Sequence, residues 1–491
     1  MLRLCLVLII SVFSAQCTRS GSIPQDTLVV AMGAEPVTLD PRFATDAYGM
    51  RTAGLIYSSI TRLGPRLNAE PDAAESWTQN KRNFKFILRK DLFFHNGRKV
   101  TIDDIDFSFA EFMKPGRPFA SILEVIRQVT AIESNGQIQI NVELKHHSSS
   151  FLTAILPIVK ILPKIELQSA PFTPLGSGPY KFITQTPSEI SMEAVRAKTK
   201  YLKLKIIRDD YTRYQKTLNG EIDINPGEIA VDKVAEFERR PQDFTVHRGL
   251  GLSMAYLVIN FKDPLLKQKA VRLALAQSLD RQELIRYKLQ GFATEATSIL
   301  TPDNPYFNST LTNPPLNLDA ATATIERLGL KGTEVSLKTS NAASAVDNGK
   351  VLAHQLARSG LKFKLQSFEW ATYYDDIKKG RFQLATMRWV GIIDPDFYRQ
   401  IFHSSELPPG RNRGAYANPD LDALLLRGFQ EENELNRRKI YAQVQKIVQD
   451  DLAMIPLWYD QQISVVKKSV MNYRPQQTGD YWPLIDVTKN K

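Results

Sequence analysis

A chain of 491 residues exceeds the size at which one hydrophobic core stops growing, so at least two lobes are expected. Its formal charge of +11 is spread over 63 basic and 52 acidic residues with no long basic run, which argues against nucleic acid as a partner. Hydrophobic residues make up 43%, and beyond the first few residues no apolar run is long enough to span a bilayer.

The first sixteen residues stand apart. Arg3 precedes the apolar run Leu4 to Phe13 and the small pair Ser14-Ala15, the layout of a secretory signal, so they are set aside from the fold. The junction resembles a bacterial lipoprotein cleavage site, which implies that Cys17 becomes the lipidated first residue. Ser14 and Gln16 depart from the residues preferred there. Cys5 lies in the segment to be removed, so no intrachain disulfide is expected.

Thr27 to Ala31 reads as a short strand, and the two prolines of Glu35 to Pro41 forbid a helix after it. Phe84, Phe86 and Leu88 alternate with polar residues as a half-buried strand does, and Asn96-Gly97 marks a tight turn. Thr101 then starts a helix with Asp103 and Asp104 in its first turn. In Leu175 to Tyr180 the glycines flank Ser177 at the wrong spacing for a nucleophile elbow or a dinucleotide loop, which leaves an irregular crossing. Asn219-Gly220 is a turn entering a strand.

Tyr256 to Ile259 reads as a buried strand closing on Asn260 and the Asp263-Pro264 turn. Val271, Ala274, Leu275 and Ser278 follow at helical spacing, leaving Lys267, Lys269 and Arg272 to water. Asp280, with Glu283 three residues on, caps the next helix, and Gly291 stops it. Further on, Phe382 to Met387 is a buried strand, Asn418-Pro419 starts a helix with Leu421, Leu424 and Leu425 on one face, and Ile440, Val444, Ile447 and Val448 mark another. Ile455 to Tyr459 is a following strand.

Catalytic chemistry is not visible. Six histidines include no His-Glu-x-x-His pair, and the mature chain has no cysteine pair, so neither a metal cluster nor a nucleophile with a base is expected. His95 sits in a tight turn, where a structural role is expected. The adjacent acids Asp209-Asp210, Asp375-Asp376 and Asp450-Asp451 point apart on a helix or strand and are expected to be solvated.

Several of these stretches, taken together, resemble the family 5 extracellular solute-binding proteins, the substrate-binding subunits of ABC importers for oligopeptides, dipeptides, nickel and related cargo. They are Glu35 to Pro41, Pro71 to Trp77, Phe94 to Gly97 with Thr101 to Asp104, Leu175 to Tyr180, Asn219 to Asp223, and the string Asn260, Asp263-Pro264, Val271-Arg272, Leu279-Asp280-Arg281, Gly291 and Pro302. The resemblance implies an α/β, two-lobed architecture of the type II periplasmic-binding-protein kind with an extra small inserted domain. Residues 1–16 would be the signal peptide, 25–57 with 176–254 and 467–491 the first lobe, 58–175 the small inserted lobe, and 255–466 the third.

It also implies a monomer, without cofactor or metal, that grips a peptide or peptide-like solute and meets an ABC permease outside the cytoplasmic membrane. The ligand-binding residues it suggests are Thr45 and Tyr48 in one loop and Arg388, Trp389 and Asp394 in another. Met387 to Phe397 resembles the clamp in which peptide-binding relatives hold the ligand's ammonium with an acidic residue, yet that place falls on Ile392. A buried ammonium without a carboxylate loses what offsets its desolvation. Either Asp394 takes over or the cargo lacks a free amino terminus, which leaves a metal chelate or a glycan fragment open. An exported hydrolase and a peptide-sensing receptor are the readings from other classes.

Overall fold

The structure, a computed structural model, describes residues 26–169, 172–227 and 229–490; the signal segment and Cys17 lie outside them. Eleven strands make one continuous mixed sheet. In chain order they are β1 (Thr27–Met32), β2 (Tyr180–Gln185), β3 (Glu189–Ala194), β4 (Tyr201–Ile206), β5 (Ile224–Pro226), β6 (Phe244–Ile259), β7 (Ala293–Glu295), β8 (Glu334–Ser340), β9 (Lys362–Phe368), β10 (Leu384–Val390) and β11 (Met454–Lys467). Across the sheet the order is β9-β8-β10-β6-β11-β5-β1-β4-β3-β2, with β7 added to β11. Every residue of β1 is buried, as expected of a strand paired on both sides and covered on both faces.

Two long antiparallel strands, β6 and β11, join the halves of this sheet. Phe244 to Leu250 of β6 pair with Gln461 to Lys467, and Met254 to Val258 pair with Met454 to Tyr459. Between these blocks Gly251, Leu252 and Ser253 stand opposite Asp460 alone, an irregularity that bends the ribbon at its middle. Fully buried side chains on either side of the bend belong to different cores. Phe244 packs with Ile463 and Val465, whereas Met254, Tyr256 and Tyr459 join one core and Leu257, Ile455 and Leu457 another. A Cβ at Gly251 would stand 2.8 Å from the Asp460 carbonyl oxygen, so the bend needs a glycine.

A second sheet of four strands, Ala74–Asn80, Asn83–Leu88, Gln137–Leu144 and Ile126–Ser134 in that order, is inserted before β2. It shares one continuous core with the β1 end of the main sheet, since Phe86 and Ile140 cluster with Leu28, Val30 and Leu204. Trp77 packs onto this core beside Phe86.

Local signals translate directly. Asn96-Gly97 forms a turn with Gly97 at φ +89°, and Asp280 accepts from the Glu283 amide. Asn418 caps the helix beginning at Pro419. His95 is fastened by its amide to the Gly176 carbonyl and by Nε2 to the Gly178 carbonyl at 3.1 Å, a structural role.

Two expectations need correction. Arg272 is 4% exposed, because its guanidinium donates to the carbonyls of Leu266, Lys267 and Asp451 and lies over Phe261. The acids are not simply solvated: Asp376 pairs with Lys338 and Arg381, and Asp451 accepts from Tyr416 and Asn418.

Candidate functional site

β8, β9 and β10 run parallel in the spatial order β9-β8-β10. From β8 the chain leaves through α3 (Ala343–Ala357), whose Leu352 and Leu356 pack on one face of the sheet. It returns from β9 to β10 through α4 (Trp370–Lys378), whose Tyr373 and Ile377 pack on the other. The segment after β10 carries Tyr398, Ile401 and Phe402 into the core that holds Tyr373 and Ile377, so the carboxyl ends of β8 and β10 feed opposite faces and leave a crevice between them, where open α/β sheets place ligands. A cavity of about 270 Å³ fills it. Thr339 and Thr386, from the two diverging strands, share a hydroxyl hydrogen bond of 2.8 Å at this junction. Tyr256, Trp370 and Trp458 supply aromatic walls, and Ser344, Asn348 and Arg388 supply polar groups.

Arg388 is placed by register. It stands opposite Ala255, which stands opposite Trp458, so three side chains share one row across β10, β6 and β11. The small Ala255 leaves room for Arg388 to reach Asp460 next to the bend, Nη1 to Oδ2 at 2.7 Å. The contact is ionic rather than aligned: Asp460 Oδ2 accepts no hydrogen bond from the described residues. The other oxygen, Oδ1, accepts from the Trp458 indole N–H at 3.2 Å. Burial pushes the Asp460 carboxyl above the usual carboxylate range, against the pull of Arg388 and Trp458.

The other expected residues divide. Trp389 points to the opposite face of β10, stacked on Tyr256 at 5.5 Å, edge-on to Phe397 at 4.9 Å and under the Arg413 guanidinium at 4.7 Å. It packs against the core, and the cavity beside Arg388 does not include it.

Asp394 lines a different cavity of about 420 Å³, between the loop that follows the four-stranded sheet and the segment after β10. Its Oδ1 accepts from Ser149 Oγ and from the Asp396 amide, both at 2.9 Å, and Arg437 stands 3.7 Å away. Ile392 is half-buried against the same core as Trp389. Thr45 is exposed just before α1 (Ala47–Ile56), and Tyr48 is half-buried in its first turn; neither lines either cavity. The structure thus brings Arg388 and Asp394 to two different cavities and Thr45, Tyr48 and Trp389 to neither.

Asp460 and Trp458 were missed because their link to Arg388 comes from sheet order over 70 or more positions. The only local hint is the run Trp458-Tyr459-Asp460, polar just where a buried strand should stay apolar.

Lys160 Nζ donates to Ser59 Oγ at 2.7 Å, and burial pushes the ammonium down, a combination that suggests a nucleophile and base. Ser59 is 1% exposed, however, its hydroxyl donates to the Pro157 carbonyl, and neither residue lines a cavity described above. The pair ties two chain segments together, with the Asp72 carboxylate accepting from the Ser59 amide. Among the described residues no group of three or more His, Cys, Asp or Glu is placed to hold a metal ion, and no helix is long and apolar enough to cross a membrane.

Comparison with known proteins agrees with this geometry. The middle region of the bacterial extracellular solute-binding proteins, family 5, matches residues 68–407. The oligopeptide-binding protein AppA of Bacillus subtilis is 24% identical, with 99% of this chain and 97% of that protein aligned. A probable di/tripeptide-binding protein 5 of Pseudomonas aeruginosa is 23% identical over 83% of this chain and 85% of its own. The solved structure of HbpA2 from Haemophilus parasuis superposes with a TM-score of 0.85 at 24% identity, covering 95% of this chain and 100% of that one.

Proposed function

Because the chain belongs to the bacterial extracellular solute-binding proteins of family 5, we propose that it is the substrate-binding subunit of an ABC importer for a peptide or peptide-like solute. Two lobes close on the solute outside the cytoplasmic membrane and pass it, chemically unchanged, to a permease. The observation that carries this reading is the pair β6 and β11, bent at Gly251 to Ser253 opposite Asp460, with a cavity beginning beside the bend at Arg388. The peptide class is supported by the oligopeptide-binding and di/tripeptide-binding relatives.

On this reading the first lobe comprises 25–57, 176–254 and 467–491, the small inserted lobe 58–175 and the third lobe 255–466. Thr45 and Tyr48 approach cargo from the first lobe, and Arg388 from the third. Cys17 carries a lipid anchor, and the protein acts as a monomer. Closure is a population shift, so cargo binds the closed form more tightly than the open one. Ile392 at the place of the ammonium-holding acid, with Asp394 already engaged by Ser149, favours cargo whose amino terminus is blocked or held elsewhere.

Native mass spectrometry of mature protein purified from its own cells tests the function. A bound small mass that fragments as a peptide is expected. Empty protein that no peptide stabilises against heat would overturn the proposal.

A further inference from the structure

Among the described residues Arg388 is the only charged side chain lining the crevice cavity, and nearly half of its side-chain surface, 49%, is open. Its one charged neighbour, Asp460, is close to Nη1 but off the hydrogen-bonding axis, and no side-chain N–H of Arg388 makes a hydrogen bond with the described residues. A guanidinium has five N–H donors in a planar fork suited to a carboxylate. Here Nη1 faces Asp460, and the donors of the other edge are unspent at the mouth of a cavity whose other polar groups are neutral hydroxyls and amides.

We propose that this cavity is the subsite for an acidic group of the cargo, an Asp or Glu side chain or another carboxylate on a peptide-like body, and that Arg388 reads it. This rests on the peptide reading above and adds the charge class of the solute.

Asp460 makes the arrangement ready beforehand. Held through Oδ1 by the Trp458 indole, it fixes one edge of the guanidinium and leaves the other to the cavity, so little side-chain freedom is lost on binding. Ala255, between Arg388 and Trp458 in the same row, gives the clearance. Trp458 and the 56%-exposed Trp370 offer apolar surface to the methylenes of an acidic side chain. When the incoming carboxylate shares the guanidinium with Asp460, the two anions repel. Asp460 therefore moderates the affinity, and it does so less when protonated, which its raised pKa brings nearer to neutral pH. A half-exposed ion pair of this kind adds little to fold stability, so a role in cargo selection is separable from a role in folding.

A pool of synthetic peptides of three to five residues, each present in a Glu and a Gln form, is offered to the mature protein, and the retained forms are counted by native mass spectrometry. Glu forms are expected to be retained about tenfold over their Gln partners, the size of one charge-assisted hydrogen-bonded contact. The ratio should fall to near one in R388Q, fall part-way in R388K, which keeps the charge but not the fork, and rise in D460N. Thermal unfolding checks that each variant is folded. Equal retention of Glu and Gln forms by the wild-type protein, or an unchanged ratio in R388Q, overturns this inference and leaves the peptide reading standing. Retention of no peptide overturns both.

Discussion

Arg388 and Trp389 are neighbours in the chain with opposite duties, because successive side chains of a strand face opposite ways. Trp389 is held by Tyr256, Phe397 and Arg413, and its indole N–H meets no acceptor among the described residues. Trp389→Phe should then be tolerated within about 1.5 kcal/mol, whereas Trp389→Ala should lose about 3 kcal/mol in denaturant titration. A large loss of binding with unchanged stability in Trp389→Ala would instead place the ring against cargo. The family resemblance pointed to Arg388, Trp389 and Asp394 as a group. Only the three-dimensional arrangement separates Arg388 in the crevice from Asp394, which is bonded to Ser149 some 245 positions away.

Elements whose signals are local were legible in the sequence. The helix α2 (Ile102–Met113) begins with a capping box: Thr101 Oγ1 accepts from the Asp104 amide, and the Asp104 carboxylate accepts from the Thr101 amide. Asp104 also takes two hydrogen bonds from Arg98 and one from the Lys164 amide. Burial raises its pKa, but Arg98, Lys164 and Thr101 together outweigh burial and hold it below the usual carboxylate range. A depressed folded pKa contributes stability that is present above the unfolded value of about 4 and lost as pH falls through the folded value. Asp104→Asn should therefore cost about 3 kcal/mol at pH 7, and the gap to wild type should narrow below about pH 4 in unfolding titrations run at both pH values.

Glycines give a second contrast between elements. A Cβ at Gly178 would lie 2.5 Å from the Leu55 carbonyl oxygen, backbone that cannot move aside, so Gly178→Ala should cost about 3 kcal/mol or more by thermal unfolding. Gly54, inside α1, has open space at that position, and Gly54→Ala should add roughly 0.5 to 1 kcal/mol. The irregular crossing at Leu175 to Tyr180 was legible as such, but its reason, contact with the end of α1, was not. Arg272 was misread for the same reason: helical spacing put it at the surface, while the carbonyls that hold it come from the preceding turn and from Asp451.

For the molecule as a whole, length alone called for more than one body, and Tyr256 to Ile259 marked one strand at the junction. The second, β11, was read as ending at Tyr459 because Asp460, Gln461 and Gln462 interrupt its apolar run. That polar interruption is the bend itself, where both strands change partners and the side chains pass from one core to the other. Stiff halves joined by two strands with one shared irregularity have a natural hinge.

Small-angle X-ray scattering of the mature protein, first emptied and then saturated with the solute it retains from cells, reads that hinge most directly. The radius of gyration is expected to fall on saturation and recover on dialysis, with the solute released at its original mass. An unchanged radius with solute bound, or a solute recovered cleaved, would contradict a clamp that closes and opens on unaltered cargo.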